Sequence, residues 1–76
     1  MNLFEKVRDV IAESLSCDVS LVTEGADLGA DLGADSLAVV ELIMALEDNF
    51  SITIGEESIK GAVTVGDVVK LVAELS

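Results

Sequence analysis

Apolar residues recur along this chain at helical spacing in three places. Over residues 2–15, Leu3, Val7, Val10, Ile11 and Leu15, with Phe4 beside them, fall on one face and the charges on the other. Over residues 65–75, Val65, Val68, Val69, Val72 and Leu75 point inward, and Thr64 three positions before Asp67 has the form of a capping box. Between them, residues 36–50 form a third helix whose pattern is fuller. Val39, Leu42, Ile43, Leu46 and Phe50 cluster in one direction and suffice for a core face. Leu37, Val40 and Met44 lie far round the other side, interleaved with Glu41, Glu47 and Asp48.

The segments between these helices are less regular. Residues 16–35 form a long loop that ends in GADLGADLGAD, with Gly25, Gly29 and Gly33 evenly spaced. A four-residue unit repeated so few times does not build a repeat fold. Leu28 and Leu32 are expected to tuck this loop onto the helices. Residues 56–61 suit one short helical turn. Residues 51–54 alternate, but too briefly to require a sheet. With no Pro in the chain, helix ends must depend on Gly and on capping side chains. The expected fold is all-α: a small four-helix bundle of three long helices and one short one, a single domain over residues 1–76.

Composition narrows the function. The chain has 76 residues, of which 51% are hydrophobic, and its only aromatic residues are Phe4 and Phe50. The core must be aliphatic, and a chain this short buries little surface. Fifteen acids face four bases and no His, a net charge of −11. Such a charge disfavours nucleic acid and anionic membranes and favours basic protein surfaces. No apolar run approaches the length of a bilayer span. Residues 1–10 mix charges with apolar residues, unlike a secretory signal. The one cysteine, Cys17, has no partner for an internal disulfide and is expected to be a buried or half-buried small residue. A cytoplasmic monomer is expected.

Charge also colours the third helix. Its outer face is an acidic strip with apolar teeth. A helix buried on most sides would have the same apolar content, but buried unpaired carboxylates are costly. The alternative is a recognition surface, on which carboxylates steer a basic partner and Met adapts to its contour.

This helix opens with Asp-Leu-Gly-Ala-Asp-Ser-Leu, residues 31–37, and continues VELIMALEDNF. These motifs, with the long loop before them and the Thr-Val-Gly-Asp that leads into the last helix, resemble the acyl carrier proteins of dissociated (type II) fatty acid synthesis over nearly the whole chain. The resemblance implies that a phosphopantetheinyl transferase attaches 4′-phosphopantetheine from coenzyme A to Ser36. Acyl chains would then ride as thioesters on the arm, for fatty acid synthesis enzymes with basic docking surfaces. It implies that Asp35 helps hold Mg²⁺ in the transferase complex. It also implies an acyl-chain space, with Leu42, Leu46, Ile54, Ile59, Ala62 and Leu71 as its lining by position; the same six would serve as ordinary core. Leu37, Val40, Glu41, Met44, Glu47 and Asp48 are the expected partner face.

The chemistry of the site agrees with that expectation. A serine at a helix N-terminus meets unpaired N–H groups and a positive dipole end, which favour a phosphodiester. Gly33 can adopt positive φ and leaves room for a transferase. Without the surrounding motif, Ser36 would read as a first-turn residue and Asp35 as an N-cap. An enzyme is not expected, because no His exists to activate Ser36.

Other readings remain. One is a carrier dedicated to polyketide, peptide or lipid A precursor supply. Another is an acidic helical adaptor in which Ser36 is only a cap. A calcium site of Asp27, Asp31 and Asp35 does not match the ligand spacing of an EF-hand loop. Ala30, Ala38, Ser51 and Thr53 occupy positions that are acidic in familiar carriers, which weakens the case for tight ion binding. Ala38 removes a charge beside the modification site. Leu28 stands where an aromatic residue is frequent. Gly55 stands where Pro is common, so the start of the short helix should be looser.

Overall fold

A computed structural model describes residues 2–76, apart from the side chains of Glu56 and Lys60. Among the described residues the elements are α1 (Leu3–Leu15), a single 3-10 turn (Val19–Leu21), α2 (Ser36–Phe50), α3 (Glu56–Lys60) and α4 (Val65–Leu75). No strand occurs among them; one isolated antiparallel bridge links Asp27 and Thr64. The expected three long helices and one short helix are present. The 3-10 turn was not anticipated. Asp18 starts it by accepting the Ser20 N–H, an arrangement that needs only one short acidic residue and leaves no periodic trace.

The three long helices begin where a side chain can take an orphan N–H group. Asn2 Oδ1 accepts the Glu5 N–H at 2.8 Å and starts α1. Thr64 and Asp67 form the reciprocal capping box at the start of α4. Gly55 precedes α3 and offers no side chain, so that helix has no cap of this kind. At the other ends, Ser16 and Ser51 adopt left-handed conformations, with φ of 53° and 54°. In the turn at Ser16, the Cys17 N–H returns to the Ala12 carbonyl at 3.0 Å.

α1 packs against both α2 and α4. The core is aliphatic: Val7 and Ile11 from α1, Leu42 and Leu46 from α2, and Val65, Val68 and Val72 from α4 are fully buried. Val10, Leu15, Val39, Ile43, Phe50 and Val69 are half-buried around them, as is Cys17. Leu75, expected to point inward, is 42% exposed. Val72 is the last buried residue of α4, so the apolar stripe runs one turn past the core.

The long loop contributes more than the two expected plugs. Val22, Ala26 and Leu28 are all buried, whereas Leu32 is only half-buried. Backbone bonds tie this loop to the α3–α4 connection and the start of α4: Leu28 N–H to Val63 O at 2.9 Å, Val65 N–H to Ala26 O at 2.9 Å, and Gly66 N–H to Glu24 O at 2.8 Å. The last bond brings two backbones close. A Cβ on Gly66 would lie 3.1 Å from both the carbonyl oxygen and Cγ of Glu24.

Candidate functional site

The loop delivers the chain to the start of α2 through Gly33, whose φ of +69° suits a residue without a Cβ. A Cβ there would meet nothing within 4 Å, so the approach to the helix start is open. Asp35 follows in an extended conformation and caps the helix: its Oδ1 accepts the Ala38 N–H at 2.8 Å. Ser36 is the first helical residue and is exposed. Its N–H and that of Leu37 fall in the first turn, where no intrahelical acceptor exists. The hydroxyl therefore stands at the positive end of a helix dipole with space around it.

Beside Ser36 lies an open cleft of about 380 Å³. Asp27, Leu28, Gly29 and Ala34 form its loop side, and Asp35, Ser36 and Val39 its α2 side. Ile59, Ala62 and Val63, from α3 and the turn after it, form the far wall. Most of the lining is apolar, and the serine is on its rim.

The six residues expected around an acyl-chain space divide. Ile59 and Ala62 line this cleft. Leu42, Leu46 and Ile54 do not; they are buried in the core. Leu71 is half-buried and lines a separate groove of about 210 Å³ with Ser58, Gly61 and Lys70. Leu28, Ala34, Val39 and Val63 complete the cleft and were not anticipated in that role. Val39 had a legible signal, being one turn after Ser36 on the same helix. Val63 had none, because its place depends on the backbone bond from Leu28.

The outer face of α2 presents Leu37, Val40 and Met44, at 67%, 51% and 59% exposure, among the exposed carboxylates Glu41 and Asp48. Glu47 departs from the expected strip. It is half-buried, and its Oε2 accepts the Ile54 N–H at 2.9 Å. It lies on the flank of the core face, within reach of the segment that follows α2, and so turns toward the protein.

The acids of the long loop also have local tasks. Asp27 Oδ1 accepts the N–H groups of Gly29 and Ala30, both at 2.9 Å, and Asp31 Oδ2 accepts the Asp27 N–H at 2.7 Å. Asp35 caps α2. Three carboxylates that looked like candidate ion ligands are thus turned to backbone N–H groups. Outside the cleft, Asp67 Oδ2 accepts the N–H groups of Thr64 and of the far-wall residue Val63, at 3.1 and 3.0 Å. Those two bonds hold its carboxyl below the usual Asp value, with Lys70 adding a smaller pull in the same direction.

Comparison with known proteins agrees with this geometry. The family described as "Phosphopantetheine attachment site" matches residues 5–72. An acyl carrier protein of Helicobacter pylori strain J99 is 54% identical over 74 residues, covering 97% of this chain and 95% of the relative. The chain belongs to the acyl carrier protein family. An acyl carrier protein of Helicobacter acinonychis strain Sheeba is 53% identical over the same length, with the same coverage of both chains. Acyl carrier proteins are carriers and not enzymes, and the group that defines the family is covalently attached phosphopantetheine. The structure suits such a group. An exposed serine hydroxyl stands at a helix N-terminus, nothing crowds Gly33 beside it, and an apolar cleft opens next to it. No helix among the described residues is long and apolar enough to cross a membrane.

Proposed function

We propose that Ser36 carries the 4′-phosphopantetheine arm and that the cleft beside it receives acyl cargo held on that arm as a thioester. The observation that carries this reading is the placement of one exposed hydroxyl at the positive end of α2, on the rim of the cleft. In the loading reaction the serine Oγ forms a bond to the β-phosphorus of coenzyme A, the pyrophosphate bond breaks, and adenosine 3′,5′-bisphosphate leaves. With no His in this chain, the proton of Ser36 must pass to the transferase. Asp35 holds the helix start with Oδ1, which leaves its second oxygen for Mg²⁺ in that complex.

The partners are a phosphopantetheinyl transferase and fatty acid synthesis enzymes with basic surfaces. Leu37, Val40 and Met44 supply contact area, and Glu41 and Asp48 steer the encounter. Glu47 contributes charge at the edge of this face. The protein acts as a monomer in the cytoplasm, a reading supported by self-repulsion from a net charge of −11 and by the lone cysteine.

The test is intact mass after incubation with coenzyme A, Mg²⁺ and a phosphopantetheinyl transferase. One phosphopantetheine should add to the parent chain and none to Ser36→Ala. No addition under conditions that load another carrier, or addition to Ser36→Ala, rejects the assignment.

A further inference from the structure

Glu47 does something that the other described acids of α2 do not: it holds a segment outside its own helix. Its Oε2 accepts the Ile54 N–H, seven residues on, and its backbone carbonyl accepts the N–H groups of Ser51 and Ile52. Among the described residues this is the side-chain hydrogen bond that reaches the start of α3. The helix is five residues long, far below the length at which a helix holds itself in water, and Gly55 gives it no side-chain cap. Among the described residues its attachment includes the buried Ile54 and Ile59, the half-buried Ile52 and Ala62, and this carboxylate. At the other end, Asp67 holds the Val63 N–H. Two carboxylates therefore bracket the segment whose Ile59, Ala62 and Val63 form one wall of the cleft beside Ser36.

We infer that Glu47 is a positioning residue for cargo: its carboxylate fixes the start of α3 and thereby sets how far the Ile59 wall stands from Val39 and Ser36. The inference rests on the reading of the cleft as the cargo site. The bond is to a backbone N–H, so a neutral acceptor of the same length serves in its place. Glu47→Gln keeps the latch and Glu47→Ala loses it. A purely global loss of stability is mimicked by Asn2→Ala, which removes one helix-cap hydrogen bond from α1, away from the cleft.

Two measurements test this. The first is amide hydrogen exchange on the unmodified chain, with Ile54 and Ile59 referred to Val72 in the core. In Glu47→Ala, Ile54 should exchange roughly tenfold faster relative to Val72, with Ile59 following, while Glu47→Gln and Asn2→Ala keep the parent ratio. The second is the rate at which hydroxylamine cleaves a medium-chain acyl thioester on the loaded arm. It should rise in Glu47→Ala and stay at the parent rate in the other two variants. An unchanged exchange ratio in Glu47→Ala overturns the role of Glu47, whatever the thioester does. Faster exchange with unchanged cleavage overturns the reading of the cleft as the cargo site and leaves the attachment at Ser36 standing.

Discussion

Leu28 donates its backbone N–H to the carbonyl of Val63 at 2.9 Å, and through this bond two walls of the cleft beside Ser36 are joined. The long loop is thus a structural member. It carries three buried side chains, Val22, Ala26 and Leu28, and it meets the α3–α4 connection along a short run of backbone pairing.

Gly66 is the position at which this pairing is least tolerant. Any side chain there meets the Glu24 carbonyl oxygen at 3.1 Å, and a backbone atom cannot swing away as a flexible side-chain end can. Gly66→Ala should gain helix propensity at the start of α4 and lose more through displacement of the loop. The expected net cost is about 1–2 kcal/mol. Urea unfolding of the two chains measures it, and an unchanged or higher midpoint would show that the loop yields freely.

Much of this architecture was legible in the letters, for a physical reason. Amphipathic spacing over 2–15, 36–50 and 65–75 is a property of each helix alone, and the Thr64–Asp67 capping box is a local exchange of hydrogen bonds. The loop's attachment is different. Residues 24–28 pair with residues 63–66 through backbone atoms, which every residue has and no sequence pattern marks. The hydrogen bond of Glu47 was not legible for a related reason. A carboxylate on the flank of a helix can turn outward or inward, and the partner that draws it inward is another backbone N–H, that of Ile54. The residues of the cleft followed suit: Val39 was within reach of helical geometry, whereas Val63 depended on the loop.

Asp35 carries two separable burdens. As the N-cap of α2 it holds the Ala38 N–H, and its replacement by Ala should cost about 1 kcal/mol. Asp35→Ser retains a capping oxygen but no charge. Equilibrium unfolding should therefore place Asp35→Ser near the parent and Asp35→Ala below it. If Asp35 also holds Mg²⁺ in the transferase complex, both variants should load phosphopantetheine more slowly than the parent. Loading of Asp35→Ser at the parent rate would confine Asp35 to capping.

Acid should unfasten the far wall of the cleft. Hydrogen bonds from Thr64 and Val63 lower the carboxyl of Asp67 from its ordinary value of 3.8 in the folded chain. A depressed folded value means that the unfolded chain binds the proton more readily. The contribution is complete above the unfolded value and is lost as pH falls below 3.8 through the folded one. Asp18, lowered by its bonds with Ser20, titrates with the same sign. Asp67→Asn keeps an acceptor oxygen without the charge. The urea midpoints of parent and Asp67→Asn should be separated at neutral pH and converge as pH falls below 3.8. A separation that persists in acid would show that the charge of Asp67 is not what the fold uses.

Salt should act on the fold and on docking in opposite directions, and the contrast tests both electrostatic arguments together. A chain of net charge −11 repels itself, and screening over about 10 Å at 0.1 M salt relieves that repulsion. The melting temperature should rise with added sodium chloride, and a fall would contradict the self-repulsion. The same screening weakens attraction between Glu41 or Asp48 and a basic partner. Glu41→Lys and Asp48→Lys, both at exposed positions of α2, should each reduce affinity for a synthesis enzyme by roughly three- to tenfold at low salt. That loss should shrink as salt rises, while the unfolding midpoint of each variant stays at or above the parent's because the net charge has become smaller. Glu47→Lys is the uninformative choice here, since it also removes the acceptor of the Ile54 N–H. Parent affinity in both Glu41→Lys and Asp48→Lys would mean that the outer face of α2 is not where basic partners bind.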